Sequence, residues 1–150
     1  MRSATGDLTA ILARAADKSR EALDAAQDEA QAWLEEVRSG ALTDSKECVT
    51  CGAGPPLEDN HVAGRRHGDL TVPMCSRRCH PRFTEGQDLW PAQWQSDERS
   101  PDLDLAILLL GLHDLLLLKG RQVPDAKAGA YVALAESLRE QYAWAARRTL

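Results

Sequence analysis

Three short stretches decide how this chain folds: Cys48-Val49-Thr50-Cys51, Asn60-His61-Val62-Ala63-Gly64-Arg65-Arg66-His67, and Leu70-Thr71-Val72-Pro73-Met74-Cys75-Ser76-Arg77-Arg78-Cys79-His80. All four cysteines and three of the four histidines lie between Cys48 and His80. A CxxC turn presents two thiolates from one tight loop, and Cys48 and Cys51 have that spacing. Cys75 and Cys79 have three residues between them. At a helix N-terminus, residues four apart share a face, so this pair can converge on the same ion. Cys48, Cys51, Cys75 and Cys79 are therefore expected to hold a structural Zn²⁺. His80, beside Cys79, is an alternative zinc ligand. Met1 to Asp7 carries no apolar signal core, so the expectation is a cytoplasmic chain whose thiols stay reduced and free for metal.

Around the thiols, Gly52, Gly54, Pro55 and Pro56 predict a knuckle and loop. Leu70 to Met74 is a strand candidate. Ser76 is a candidate cap for a helix running through Cys79, His80 and Phe83 towards Gln87. Trp90 and Trp94 read as a packing face. Further out, helices take over. From Asp7 to Val37, Leu8, Leu12, Ala15, Ser19, Ala22, Ala26, Ala30, Trp33 and Val37 recur every three or four residues among charged neighbours, which predicts one long amphipathic helix ended by Ser39-Gly40. Its alanine stripe suits packing on another helix, in this chain or in a partner, so a homo-oligomer or protein partner through the helices is expected.

Ser100-Pro101-Asp102 supplies an N-cap, a proline at the first helical position and an acid in the first turn. The helix it opens runs to Lys119 and is apolar nearly all round, so it should be buried. Asp104, His113 and Asp114 interrupt its leucines, and it falls short of the roughly 20 apolar residues a membrane span needs; no membrane association is expected. His113 reads as a core histidine paired with Asp114. A last helix, 124–148, places Tyr131, Leu134, Leu138 and Tyr142 on one side. The organisation expected is an N-terminal helix over 1–40, a zinc-binding domain over 41–95 and a helical hairpin over 96–150. The fold class is α-rich, α+β.

The net charge of −5 argues against a surface coated for nucleic acid. Yet between His61 and Arg82 five arginines stand against one acid, Asp69. A basic patch on an acidic chain is the pattern of a local phosphate-binding site; an arginine-rich loop without that role has the same composition.

Asn60-His61-Val62-Ala63-Gly64-Arg65, Thr71-Val72-Pro73-Met74-Cys75 and Cys79-His80 together resemble the HNH endonuclease family, in particular its zinc-stapled branch, over about residues 45–90. The resemblance implies a ββα-metal (His-Me finger) core between the flanking helices. It also implies a hydrolase that cuts phosphodiester bonds of double-stranded DNA. His61 would be the general base. Asn60 and His80 would hold Mg²⁺ or another divalent ion. Arg65, Arg66, His67 and Arg82 are the expected nucleic-acid contacts. Three positions depart from the family pattern. Asn60 replaces a His or Asp, His67 falls where the middle Asn is expected, and the second cysteine pair has one extra residue. An amide oxygen is neutral and holds Mg²⁺ more weakly than a carboxylate. The alternative is therefore a catalytically weakened HNH-like zinc module that binds nucleic acid or a protein partner.

Overall fold

The computed structural model describes residues 4–149. Its centre is the leucine-rich helix. Ser100 caps it, the hydroxyl accepting the Leu103 N–H at 3.1 Å, and Pro101 takes the first helical position, where a missing N–H costs nothing. We label the helices α1 (Ala4–Arg38), α2 (Cys79–Asp88), α3 (Pro101–Gly120) and α4 (Asp125–Arg147), and the strands β1 (Leu57–His61) and β2 (Thr71–Cys75). The α-rich α+β expectation holds, and the long helices fall within a few residues of the predicted bounds.

α3 is covered on most of its faces because it is shared, with Leu105 left 40% exposed. It forms an antiparallel hairpin with α4, and α2 packs on it as well. The loop after β1 approaches it most closely of all. A Cβ added at Gly111 would lie 1.9 Å from the Val62 carbonyl oxygen, so only glycine admits this contact. Ile107, Leu115 and Leu116 are fully buried, and α4 contributes Tyr131 and Ala135 to the same core. No helix among the described residues is long and apolar enough to cross a membrane.

α1 is used over only part of its length. Ala26, Ala30, Trp33 and Val37 are buried, with Trp33 edge-on to Tyr131 at 5.8 Å and Glu29 paired with Lys127 at 2.8 Å. These contacts set α1 and α4 running in the same direction, Glu29 near the start of α4 and Trp33 one turn on. The helix before Ala26 therefore extends past the first turn of α4. Leu8, Ile11, Leu12 and Leu23 are all at least half exposed there. The stripe expected to pack on a helix does so only in its second half.

β1 and β2 form a two-stranded antiparallel hairpin in which Asn60 pairs with Val72 and His61 with Thr71. Val62, Val72 and Met74 are buried beneath it. The knuckle is tied to β2, Val49 N–H donating to Pro73 O at 3.0 Å. Two local expectations fail. Ser76 does not cap α2; its hydroxyl donates to Pro56 O at 3.3 Å, and the residue before α2 is Arg78, with no side-chain cap. Nor do Cys75 and Cys79 share a helix face. Cys75 ends a strand, Cys79 opens a helix, and the turn over 76–78 takes up the extra residue.

His67 also departs from expectation. It was expected at a phosphate, but it is buried, with Nε2 2.6 Å from Trp94 O and Nδ1 3.0 Å from Asp104 Oδ1. Both partners are acceptors, and a ring between two acceptors satisfies both only when each nitrogen carries a proton. His67 thus clamps the hairpin loop to the start of α3. Arg99 closes the network on Asp104 at 2.9 Å. Burial works against the Asp104 carboxylate, but hydrogen bonds and charge from Arg99 and His67 outweigh it and hold that carboxyl below the usual range.

Candidate metal centre and the adjoining cleft

The four thiols meet although three different local structures carry them. Cys48 and Cys51 sit in a knuckle closed by Gly52 N–H on Cys48 O at 2.8 Å, with Gly52 at φ +75°, a left-handed conformation that glycine adopts freely. Cys75 comes from the end of β2 and Cys79 from the first turn of α2. Their Sγ atoms all lie within 4.8 Å of one another. A tetrahedron with metal–sulfur bonds of about 2.3 Å has S···S edges of roughly 3.8 Å, the separation found between Cys51 and Cys75, 3.8 Å. The four cysteines can hold a metal ion.

Hydrogen-bond donors and cations stand around the thiols and favour the thiolate at Cys48, while burial opposes it at Cys79. The Cys79 N–H points at Cys75 Sγ at 3.3 Å, and the Thr50 hydroxyl is 3.2 Å from Cys48 Sγ. Burial alone would push the Cys48 thiol up, but hydrogen bonds from the backbone of Cys51, from the Thr50 hydroxyl and from the backbone of Cys75 and Thr50 lower it to about 6. Burial, with Cys48 as a charged neighbour, pushes Cys79 up to about 12. Two cations flank the cluster. Hydrogen bonds to Cys51 and Cys79 raise Arg78 above the ordinary arginine value. Lys119 is lowered by burial, an effect opposed by the charge of Cys48, Glu29, Cys51 and Cys79. Such partners offset the net negative charge of a metal bound by four thiolates.

His80 does not join this cluster. It turns to the other side of the hairpin, where its Nδ1 is 3.0 Å from Glu58 Oε2. There it lines a cleft of about 170 Å³ with Asp59, Asn60, His61, Gly64, Arg65, Thr84 and Gln87. Asn60 is buried, while His61 and His80 are partly open. Gln87 Nε2 donates to the His61 carbonyl oxygen at 2.8 Å, which ties the end of β1 to α2. Asn60, His61, Arg65 and His80, named from the sequence, are therefore gathered on one cleft.

The other expected nucleic-acid contacts are not. Arg66 pairs with Asp97 at 3.3 Å, and His67 is the buried clamp. Arg82 lines a separate groove of about 450 Å³, with Phe83, Trp90, Asp114 and Arg121. Helix geometry explains the split. His80, Thr84 and Gln87 follow i, i+4, i+7 spacing and share one face of α2, whereas Arg82 is about 200° round from His80. In the second groove Asp114 accepts from Trp90 Nε1 at 2.9 Å and lies 2.9 Å from His113 Nδ1. That is the carboxylate pairing expected for His113.

Glu58, Asp59, Thr84 and Gln87 were not singled out from the sequence, although simple signals existed. Thr84 and Gln87 follow from helical spacing counted from His80. Glu58 follows from strand alternation counted from Asn60. No protein-family model matches this chain, and neither a curated protein nor a solved structure shows significant similarity to it.

Proposed function

We propose that this chain is an HNH-type, metal-dependent endonuclease that hydrolyses phosphodiester bonds of double-stranded DNA, with a structural zinc in the four-cysteine site. The observation that supports this most is the meeting of Asn60, His61 and His80 on one cleft at the junction of two strands and a helix. At about 170 Å³ the cleft is smaller than the roughly 300–1,000 Å³ of drug-sized ligand sites. It suits one phosphate group of an extended polymer better than a small molecule enclosed on all sides.

In this reading the donors for a divalent ion are the Asn60 amide oxygen and a His80 ring nitrogen. Such an ion would neutralise charge on the phosphate and the leaving oxygen. The remaining work falls to the chain. His61 accepts the proton of the attacking water, as a neutral imidazole does well near pH 7. Gln87 holds the His61 backbone in place. Arg65 presents its guanidinium fork to a neighbouring phosphate. Free thiols and a thiolate metal site suit a reducing, cytoplasmic setting.

A second reading has specific support: the ligand position carries a neutral, buried Asn60, and of the candidate arginines only Arg65 lines the cleft. In it, the module binds DNA and cuts poorly. One experiment separates the two. Full-length protein is incubated with supercoiled plasmid and Mg²⁺, Mn²⁺ or Ni²⁺. Nicking that falls by about 10²-fold or more in His61→Ala is expected. No His61-dependent nicking with any ion, together with nicking that appears only in Asn60→Asp, establishes the second reading instead.

A further inference from the structure

Residues two apart on a strand face the same way, so Glu58 and Asn60 both look towards the first turn of α2. The His80 ring has one edge on Glu58, at 3.0 Å from Nδ1, and also lines the cleft that Glu58 itself does not line. A carboxylate can only accept, so in the neutral ring the shared proton sits on Nδ1 and Nε2 keeps its lone pair. The Glu58 side chain is 54% exposed, and an exposed pair of this kind adds little to stability. Its consequence is orientation.

We propose that Glu58 is a positioning residue: it holds His80 as the Nδ1–H tautomer and so presents Nε2 to the divalent ion of the cleft. The inference rests on the nuclease reading for the ion, but not for the tautomer. A carboxylate that accepts the second ring N–H of a metal-binding histidine fixes both its tautomer and its direction, and losing such a partner lowers metal affinity by about 10–100-fold. Charge alone is not what the arrangement needs, because an amide oxygen can accept the same hydrogen bond.

The test uses the full chain, purified without chelator so that the thiol site keeps its metal. ¹⁵N-histidine spectra report the His80 tautomer, and electron paramagnetic resonance titration with Mn²⁺ reports the cleft. In wild type the Nδ1–H form is expected. Glu58→Ala should move the ring towards Nε2–H and weaken Mn²⁺ binding by about 10–100-fold, while Glu58→Gln keeps most of both. Glu58→Ala with the tautomer and Mn²⁺ affinity unchanged overturns the proposal. So does Glu58→Gln falling as far as Glu58→Ala in Mn²⁺ affinity with the tautomer intact, since Glu58 would then be a ligand. Wild-type protein whose Mn²⁺ binding ignores Asn60→Ala and His80→Ala overturns the nuclease reading, and the tautomer shift still decides the role of Glu58.

Discussion

The two sides of the β-hairpin are built on opposite plans. On one, four identical thiols converge, three of them buried, and neighbouring N–H groups, a hydroxyl and the Arg78 guanidinium are turned towards them. On the other, Asn60, His61, Arg65, His80 and Gln87 line an open cleft, with Gln87 holding the His61 backbone and Glu58, outside that lining, holding His80. The thiol side is a closed arrangement, with every ligand used for one purpose. The cleft leaves room for something from solution. A closed ligand set and an open cleft should respond differently to substitution, and the contrast can be tested by breaking each side in turn.

The largest effect should come from the thiols. Cys48→Ser, or removal of the metal by a strong chelator, should abolish binding of about one ion per chain by elemental analysis. Amide protection across β1 and β2 should go with it, because loss of a structural metal belongs to the few changes that exceed about 4 kcal/mol. His61→Ala, on the open side, should leave that protection intact. A cleft substitution that unfolds the hairpin as thoroughly as a thiol substitution would erase the distinction.

Next comes the place where the hairpin meets the helices. Gly111→Ala drives a methyl into the Val62 carbonyl, which sits 1.9 Å from the new Cβ. That contact is backbone on both sides and cannot be relieved by a rotamer. A loss of about 3 kcal/mol or more is expected, read as a fall in thermal midpoint of several degrees. An unchanged midpoint would mean that α3 and the hairpin can separate without cost.

The smallest effect concerns acid. Asp104 is held below its usual range in the folded chain, so its contribution is fully present above the unfolded carboxylate range, about pH 4. It is lost as pH falls through the lower folded value. Asp104→Asn should therefore lower stability near neutrality by about 1–3 kcal/mol and flatten the acid limb of the stability curve. An acid limb as steep as in wild type would remove Asp104 from the clamp.

The parts of this architecture that follow from neighbours in sequence were legible. Ser100-Pro101 and Gly120 mark α3, a three-to-four-residue rhythm marks α1, and two cysteine pairs mark the thiol cluster that can hold a metal ion. What was not legible depended on distant residues. His67 looks like an exposed loop histidine until Trp94 and Asp104 arrive from beyond α2 to enclose it. Arg82 sits two residues from His80 in the chain and on nearly the opposite face of the helix. α1 carries one continuous stripe, but how much of it is covered depends on where α4 begins, which α1 does not encode. The cleft residues themselves were found from the resemblance. Their tethers, Glu58 and Gln87, carry only the signals of strand alternation and helical spacing, and their roles emerge only with the partner each meets on another element.

Cys79 and His80 are consecutive residues in the first turn of α2, one facing the thiols and the other the cleft. The helix is therefore indexed from the thiols rather than from the strand before it. Changes of length within 76–78 are absorbed in a turn and leave the helix phase alone, as the extra residue between Cys75 and Cys79 already does. A single insertion after Cys79 would rotate everything beyond it by about 100°, carrying His80 away from Glu58 and Gln87 away from His61. Tolerance to insertion thus changes abruptly across one peptide bond, and the phase of α2 is set at Cys79.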